Sequence, residues 1–183
     1  MQKRFFIIHG WEGSPEGNWF PWLKDMLQKK GFEVHAPHMP DPSMPKEGRW
    51  VDKLVEEVGY PDSEVYLIGH SLGSIAILRY LEQLKSGKEV GGCLLVAGFT
   101  EDIGIDQISD FFKKPINWDT INSHCRKFVA IASNNDQYVA LKYADILQEK
   151  LGARKIIEPG MGHFQTKELH VALNEILKMA SPG

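Results

Sequence analysis

Short apolar runs alternate along this chain with longer segments whose apolar residues recur every three or four positions. The runs predict six buried strands: RFFII (4–8), FEVHAP (32–37), EVYLIG (64–69), GGCLLVAG (91–98), KFVAIAS (127–133) and RKIIEP (154–159). The periodic segments predict helices over residues 18–31, 46–59, 72–87, 140–151 and 167–179. Strands that are apolar on both faces and alternate with helices are typical of a parallel sheet covered on both sides. We therefore expect an α/β fold, a three-layer α/β/α sandwich with about six parallel strands.

Length, charge and cysteine usage narrow the class of protein. A chain of 183 residues suits one domain over 1–183, and a net charge of -3 favours neither nucleic acid nor an anionic membrane as partner. The apolar run near the N-terminus is too short for a signal peptide, and no run approaches the ~20 residues of a membrane span. Cys93 and Cys125 lack metal-site or disulfide-framework spacing, so we expect a cytoplasmic protein without a metal or other cofactor.

One segment, residues 99–125, breaks the alternation. It is long for a simple connection, and it contains Phe111, Phe112 and Trp118. Long insertions at strand ends often cover functional sites. A short helix that packs its aromatic residues on the core is an equally good interpretation.

The sequence Gly69-His70-Ser71-Leu72-Gly73 follows the third predicted strand and precedes a helix. This is the G-x-S-x-G pattern in its functional context, in which glycines permit a sharp strand-to-helix turn that exposes the serine hydroxyl. A serine that merely caps the helix is the alternative. We interpret Ser71 as a nucleophile.

A serine nucleophile needs a base, usually a histidine that a carboxylate orients, and both should follow later strands of the sheet. Of the seven histidines, only His163 lies in the loop after the final predicted strand, within the glycine-rich sequence EPGMGHF, whereas His170 lies in the last predicted helix. Asp136 directly follows the fifth predicted strand, although it could instead cap the next helix. We predict His163 as the base and Asp136 as its orienting acid.

The glycine-rich loop IIHGWEGSPEGNW after the first strand can bring backbone N–H groups close to the serine. Acyl transfer needs two such donors for the developing oxyanion. We expect one from Leu72, directly after the serine, and the second from Gly10 or Trp11. A phosphate-binding loop is disfavoured, because neither a GK[ST] ending nor a G-x-G-x-x-G pattern is present.

These motifs together resemble the α/β-hydrolase fold. The short length and the stretch HGWEGSPEGNWFPWLKDMLQKKGFEV are similar to the small serine hydrolases of the YdeN and retinoblastoma-binding serine hydrolase type. The resemblance covers essentially the whole chain, and it implies a six-stranded core without a large cap domain. It also implies a Ser71, Asp136 and His163 triad. An L-x-C-x-E stretch is missing, and the nearest string, LRYLEQLK, lacks the cysteine, so the resemblance does not carry retinoblastoma-protein binding to this chain.

The function expected from these observations is hydrolysis of an ester, thioester or amide through an acyl-enzyme on Ser71. The substrate would be a small molecule or a peptide, and aromatic residues would hold its acyl group: Trp11, Trp19, Trp118 or Phe164. Two rival functions remain open at this point. They are a protein-binding module on a hydrolase scaffold, and acyl transfer to an acceptor other than water.

Overall fold

A computed structural model describes residues 2–181, and its core is a single six-stranded sheet. The strands are β1 (Arg4–Ile8), β2 (Glu33–His35), β3 (Val65–His70), β4 (Gly92–Val96), β5 (Phe128–Ala132) and β6 (Arg154–Ile157). They pair in the order β2-β1-β3-β4-β5-β6, and every pairing is parallel. All six predicted strands are therefore confirmed.

Within residues 2–181, six α-helices and one 3₁₀ helix surround the sheet. The α-helices are α1 (Phe20–Gln28), α2 (Glu47–Val58), α3 (Leu72–Leu81), α4 (Trp118–His124), α5 (Lys142–Leu151) and α6 (His170–Ala180), and the 3₁₀ helix spans Asp106–Phe112. One apolar cluster packs α1 and α6 on one face of the sheet, and a second packs α2, α3 and α5 on the other. This arrangement confirms the three-layer α/β/α sandwich.

The strand order creates a crevice at the carboxyl edge of the sheet. From β1 the chain crosses to β2 on one side, whereas β3 lies on the other side of β1. At such a switch point the loops after the two central strands diverge and leave room for a ligand. The loop after β1 and the turn after β3 therefore meet at this edge.

The long segment after β4, residues 99–125, both packs its aromatic residues on the core and covers part of the sheet edge. It contains the 3₁₀ helix and α4, and it packs Phe111, Phe112 and Trp118 against the cluster of α2, α3 and α5. Its first part also extends over the carboxyl edge of the sheet, where Phe99 and Ile103 border a cavity.

A buried arginine of α3 holds this segment in place. Arg79 is fully buried, and its guanidinium donates to the carbonyl oxygens of Phe111 at 2.8 Å and Lys114 at 2.6 Å. It also forms ion pairs with Glu82 at 2.9 Å and Glu47 at 3.4 Å. A buried guanidinium is tolerated only when its donors are satisfied, and here the segment supplies the acceptors.

The structure also describes the two cysteines and the hydropathy of the helices. Cys93 and Cys125 are buried free thiols. Within residues 2–181, no helix is both long enough and apolar enough to cross a membrane.

Candidate active site

Ser71 occupies a strained turn between β3 and α3. Its φ is 54° and its ψ is -121°, a conformation that side chains rarely adopt. The flanking glycines make the turn possible: a Cβ on Gly69 would lie 2.6 Å from the Ser74 nitrogen, and one on Gly73 would lie 2.7 Å from the His9 oxygen. The G-x-S-x-G spacing is thus a steric requirement of this turn.

The helix-cap interpretation of Ser71 does not fit this geometry. Ser71 precedes α3, yet its side chain makes no capping hydrogen bond to the helix. The backbone accounts for its position instead, because its N–H donates to the Val96 oxygen at 2.8 Å and its carbonyl accepts from Ser74 at 2.9 Å. The hydroxyl is therefore available to the cavity that Ser71 lines.

Asp136 and His163 lie together at the ends of β5 and β6. His163 Nδ1–H donates to Asp136 Oδ2 at 2.8 Å, and the Asp136 side chain is only 1% exposed. The other carboxylate oxygen accepts from the N–H groups of Tyr138 at 2.9 Å and Val139 at 3.0 Å. Asp136 thus orients His163 and closes the turn before α5, but it does not cap that helix, which begins at Lys142 with Leu141 as its N-cap.

These contacts keep Asp136 ionised. Burial by itself would raise the pKa of this carboxyl. The hydrogen bonds from His163, Tyr138 and Val139 favour the charged form and together hold the pKa below its usual value. A carboxylate that remains charged also keeps the proton of His163 on Nδ1, which leaves Nε2 able to accept another.

His70, the variable residue inside the G-x-S-x-G motif, has a role that sequence reasoning missed. It is 4% exposed, and its Nε2–H donates to the His163 carbonyl oxygen at 2.9 Å. Burial, with a smaller contribution from neighbouring His163, lowers the pKa of His70 to about 3. The ring is therefore neutral near pH 7, and its hydrogen bond links the turn at Ser71 to the loop that contains His163.

Three more polar residues of this region escaped prediction. Ser133, Asn134 and Asn135 lie between β5 and Asp136, and each bonds the backbone of the segment before His163. Their position after a strand end is the same signal that identified Asp136, so the sequence SNND contained the information.

The loop after β1 approaches the serine closely. A Cβ on Gly10 would lie 3.0 Å from the Ser71 Cβ, so only glycine fits at this position without displacement. The Gly10 carbonyl accepts from the His9 ring at 2.7 Å and from the Gly13 N–H at 3.1 Å. Buried His9 thereby fixes the orientation of the peptide between Gly10 and Trp11.

These elements enclose a cavity of about 430 Å³, a size typical of small-molecule sites. Its apolar and aromatic lining residues are Trp11, Phe20, Phe99, Ile103, Ile105, Ile108 and Tyr138. Polar side chains of Glu12, Ser14, Asn18 and Gln165 complete the lining with Ser71, His70 and His163. Among the described residues that line it, none is Lys or Arg.

Of the aromatic residues expected to hold substrate, Trp11 lines this cavity and the other three do not. Trp19 and Phe164 are fully buried in the cluster of α1 and α6, and Trp118 packs against the opposite cluster. They stabilise the core, which is the usual location of large apolar side chains. The isoleucines of the insertion take the lining role instead, and no motif identified them in advance.

Comparisons with known proteins agree with this architecture. A family model described as "Serine hydrolase" matches residues 5–181. The chain is 33% identical to YdeN of Bacillus subtilis (strain 168) over 169 residues, which cover 92% of this chain and 89% of YdeN. It is 29% identical to serine hydrolase RBBP9 of Rattus norvegicus over 168 residues, covering 90% and 88% of the two chains.

Solved structures extend the comparison to the fold. The crystal structure of the ydeN gene product from B. subtilis matches with a TM-score of 0.94 at 30% identity, covering 99% of this chain and 100% of that chain. Est1E from Butyrivibrio proteoclasticus has a TM-score of 0.76 at 13% identity, covering 97% and 88% of the two chains, and it shares the fold.

Proposed function

The chain belongs to the serine hydrolase family, and we propose that it cleaves a small carboxylic ester, thioester or amide through an acyl-enzyme on Ser71. One observation carries this proposal: Ser71, held in a strained turn, shares a cavity with His163, whose ring is bound to a buried carboxylate. Strain of this kind persists where the surrounding structure enforces it, and it is common at active sites.

In the proposed mechanism, Ser71 Oγ attacks the substrate carbonyl carbon while its proton passes to His163 Nε2. Asp136 stabilises the imidazolium that forms, because its carboxylate already accepts from Nδ1. The tetrahedral intermediate then collapses, and His163 gives the proton to the leaving group. Water attacks the acyl-enzyme by the same route in reverse, which releases the acid and restores the serine.

The oxyanion that forms during attack needs two N–H donors. Leu72 is the first residue of α3, where backbone N–H groups have no partner within the helix. Its N–H directly follows the nucleophile, and the positive end of the helix dipole favours a negative charge there. We assign Leu72 as the first donor.

The geometry around His9 supports Trp11 over Gly10 as the second donor. The Met39 N–H donates to His9 Nε2 at 3.0 Å, so the proton of this neutral ring resides on Nδ1 and points at the Gly10 carbonyl. In a trans peptide the N–H points opposite to the C=O. The Trp11 N–H therefore points away from His9.

The orientation of the peptide between His9 and Gly10 argues against Gly10 by the same reasoning. The carbonyl group of this peptide belongs to His9 and faces the start of α3. A Cβ added to Gly73 would lie only 2.7 Å from the His9 carbonyl oxygen. The Gly10 N–H must then point away from the serine turn. Sequence alone left Gly10 and Trp11 equivalent as candidates.

The lining of the cavity favours an uncharged, largely apolar substrate. The isoleucines and Phe99 offer no partner to a charge, and burying an unpaired carboxylate costs several kcal/mol. The carboxylate of Glu12 would add repulsion against an anionic substrate. We propose a neutral acyl group small enough for the cavity.

Labelling with a fluorophosphonate probe tests the nucleophile, with p-nitrophenyl esters as substrates. We expect wild type to be labelled on Ser71, as identified by mass spectrometry of the adduct. Ser71→Ala and His163→Ala should lose labelling and at least ~10³-fold in kcat, because triad members act as a unit.

Ser14 provides the matched control, since its side chain lies in the same cavity. Ser14→Ala should keep labelling and hydrolysis within about threefold, because Ser14 has no part in the proposed proton transfer between Ser71 and His163. A folded wild type that resists both the probe and the esters would refute the proposed function. Labelling that survives in Ser71→Ala would show that the nucleophile is another residue.

A further inference from the structure

We propose that Ser133, Asn134 and Asn135 are positioning residues that hold the histidine loop, residues 160–163, so that His163 meets Ser71 and Asp136 in one fixed geometry. The inference rests on the proposed role of His163 as the base. It extends that proposal from the three reacting groups to the side chains that keep the base in place.

The two asparagines bind the loop backbone directly. The Gly160 N–H donates to Asn134 Oδ1 at 2.9 Å, and the Gly162 N–H donates to Asn135 Oδ1 at 2.8 Å. Because both donors are backbone N–H groups, each amide must present its oxygen to the loop. Two successive side chains therefore hold alternate peptides of the same loop.

Ser133 completes the set and links it internally. Its Oγ accepts from the Met161 N–H at 3.0 Å and donates its own proton to Asn135 Oδ1 at 2.8 Å. A hydroxyl can do both at once, and an amide oxygen can accept two hydrogen bonds. Ser133 is only 2% exposed, so its hydrogen bonds are protected from competition by water.

The histidine loop needs such support because its own sequence provides little. Gly160 and Gly162 have φ values of 76° and 54°, and glycine loses more conformational entropy on ordering than any other residue. The backbone ladder between β5 and β6 continues only to the Glu158 N–H, which donates to the Ala132 oxygen at 2.8 Å. Beyond that bond, side chains of 133–135 replace the strand backbone as acceptors.

His163 is thus fixed from three directions. Ser133, Asn134 and Asn135 hold the residues before it, Asp136 holds its ring, and His70 holds its carbonyl oxygen. A displacement of about 1 Å at a catalytic group can cost on the order of 100-fold in rate. The four consecutive residues Ser133–Asp136 therefore act together on the base, three through the backbone of residues 160–162 and one through the His163 ring.

The test compares Ser133→Ala, which lacks the hydroxyl, with Ser133→Thr, which retains it. We expect Ser133→Ala to lower kcat by about 10-fold, because the loop that carries His163 loses a hydrogen bond that holds it in the reactive position. KM should stay within about twofold of wild type, since Ser133 does not contact the substrate. Ser133→Thr should recover most of that loss. Gln137→Ala is the matched control, because this neighbouring side chain is exposed and lies outside the set, and it should retain wild-type kcat.

Asn135→Ala is the second variant, because it removes an acceptor of two hydrogen bonds at an exposed position and should not impair folding. It should also lower kcat rather than raise KM. An independent readout is the ¹H NMR signal of the His163 Nδ1–H proton, which should broaden or shift in both alanine variants and remain in Gln137→Ala.

The outcomes separate this inference from the function on which it rests. An inert wild type overturns the proposed function, yet the NMR signal still reports whether the loop loosens. Wild-type kcat and an unchanged signal in folded Ser133→Ala and Asn135→Ala would overturn the positioning role. A loss confined to KM, or one that folded Ser133→Thr does not restore, would also overturn it.

Discussion

The two sides of the cavity are built in opposite ways. One side, called the catalytic side after the function proposed above, contains Ser71, Asp136 and His163, each within a turn that follows a strand of the sheet. The insertion side contains Phe99, Ile103, Ile105 and Ile108, which belong to the long segment between β4 and β5. Hydrogen bonds to the backbone dominate the first side, and apolar packing dominates the second.

The two sides have different requirements for precision. Chemistry needs groups fixed to a fraction of an ångström, and turns at the ends of buried strands can provide that rigidity. Substrate selection needs only a surface of suitable shape and polarity, which a loop can provide and vary. The insertion side depends on the buried guanidinium of Arg79 for its attachment to the fold.

The largest expected effect concerns this attachment. Arg79→Ala would leave Glu47 and Glu82 without their buried partner and the Phe111 carbonyl without its donors. Breaking a buried ion pair by removing one partner costs about 3–5 kcal/mol. We expect that loss in the free energy of unfolding, measured by urea denaturation.

Arg49→Ala is the control for this prediction. Arg49 pairs with Asp41 at the surface, where both side chains are more than half exposed, so its loss should cost less than ~1 kcal/mol. Folded Arg79→Ala should still react with the fluorophosphonate probe at Ser71. If folded Arg79→Ala does not react with the probe, the reactivity of Ser71 depends on the insertion side, and the two sides of the cavity do not act independently.

The next effect tests the catalytic side through pH. The pKa of His70 is about 3 in the folded protein, below its usual 6.5. Between these values the unfolded chain binds a proton that the native state excludes, so stability should fall as the pH falls from 6.5 towards 3. The contribution of His70 to this loss in the free energy of unfolding should reach about 2 kcal/mol at pH 5.

Urea unfolding at pH 7 and pH 5 measures this effect in wild type, His70→Gln and His170→Gln. The His70 variant should lose part of the acid sensitivity, while exposed His170 should have little influence. Burial also lowers the pKa of His9 and leaves a residual dependence of the same sign. An identical pH dependence in wild type and His70→Gln would contradict the prediction.

The smallest effect probes selectivity on the insertion side. Ile105→Ala removes part of the apolar lining and should lower kcat/KM for p-nitrophenyl hexanoate by about 10-fold. The acetate ester, which is too short to use that surface, should change by less than about twofold. Ile157→Ala, at an exposed position outside the cavity, is the control.

Equal losses of kcat/KM on both esters would contradict the division between the two sides, because they would assign Ile105 to the chemical step. Two results together would support this division: a loss of kcat/KM in Ile105→Ala that grows with the chain length of the ester, and a kcat defect in Ser133→Ala that is independent of chain length. Steady-state kinetics on an ester series of increasing length decides between these results.

Much of the fold followed from local patterns. The strands were predictable because buried parallel strands are apolar on both faces, and the bounds differ from the prediction by at most two residues. Helix ends were less accurate, since α3 stops at Leu81 where Gly87 was expected, and α6 starts at His170 where Lys167 was expected. The turn at Ser71 was predictable because its glycines are sterically required.

Local sequence patterns were enough to predict the layers of the fold, the turn at Ser71, and Asp136 and His163 as candidates at strand ends. They were enough because these features depend on hydrophobic period and on the steric needs of neighbouring residues. The folded structure was needed to show which side chains line the cavity, how the peptide between Gly10 and Trp11 is held, and which backbone groups Arg79 and Ser133 bind. Those outcomes depend on contacts between residues far apart in the chain, and local patterns contain no record of them.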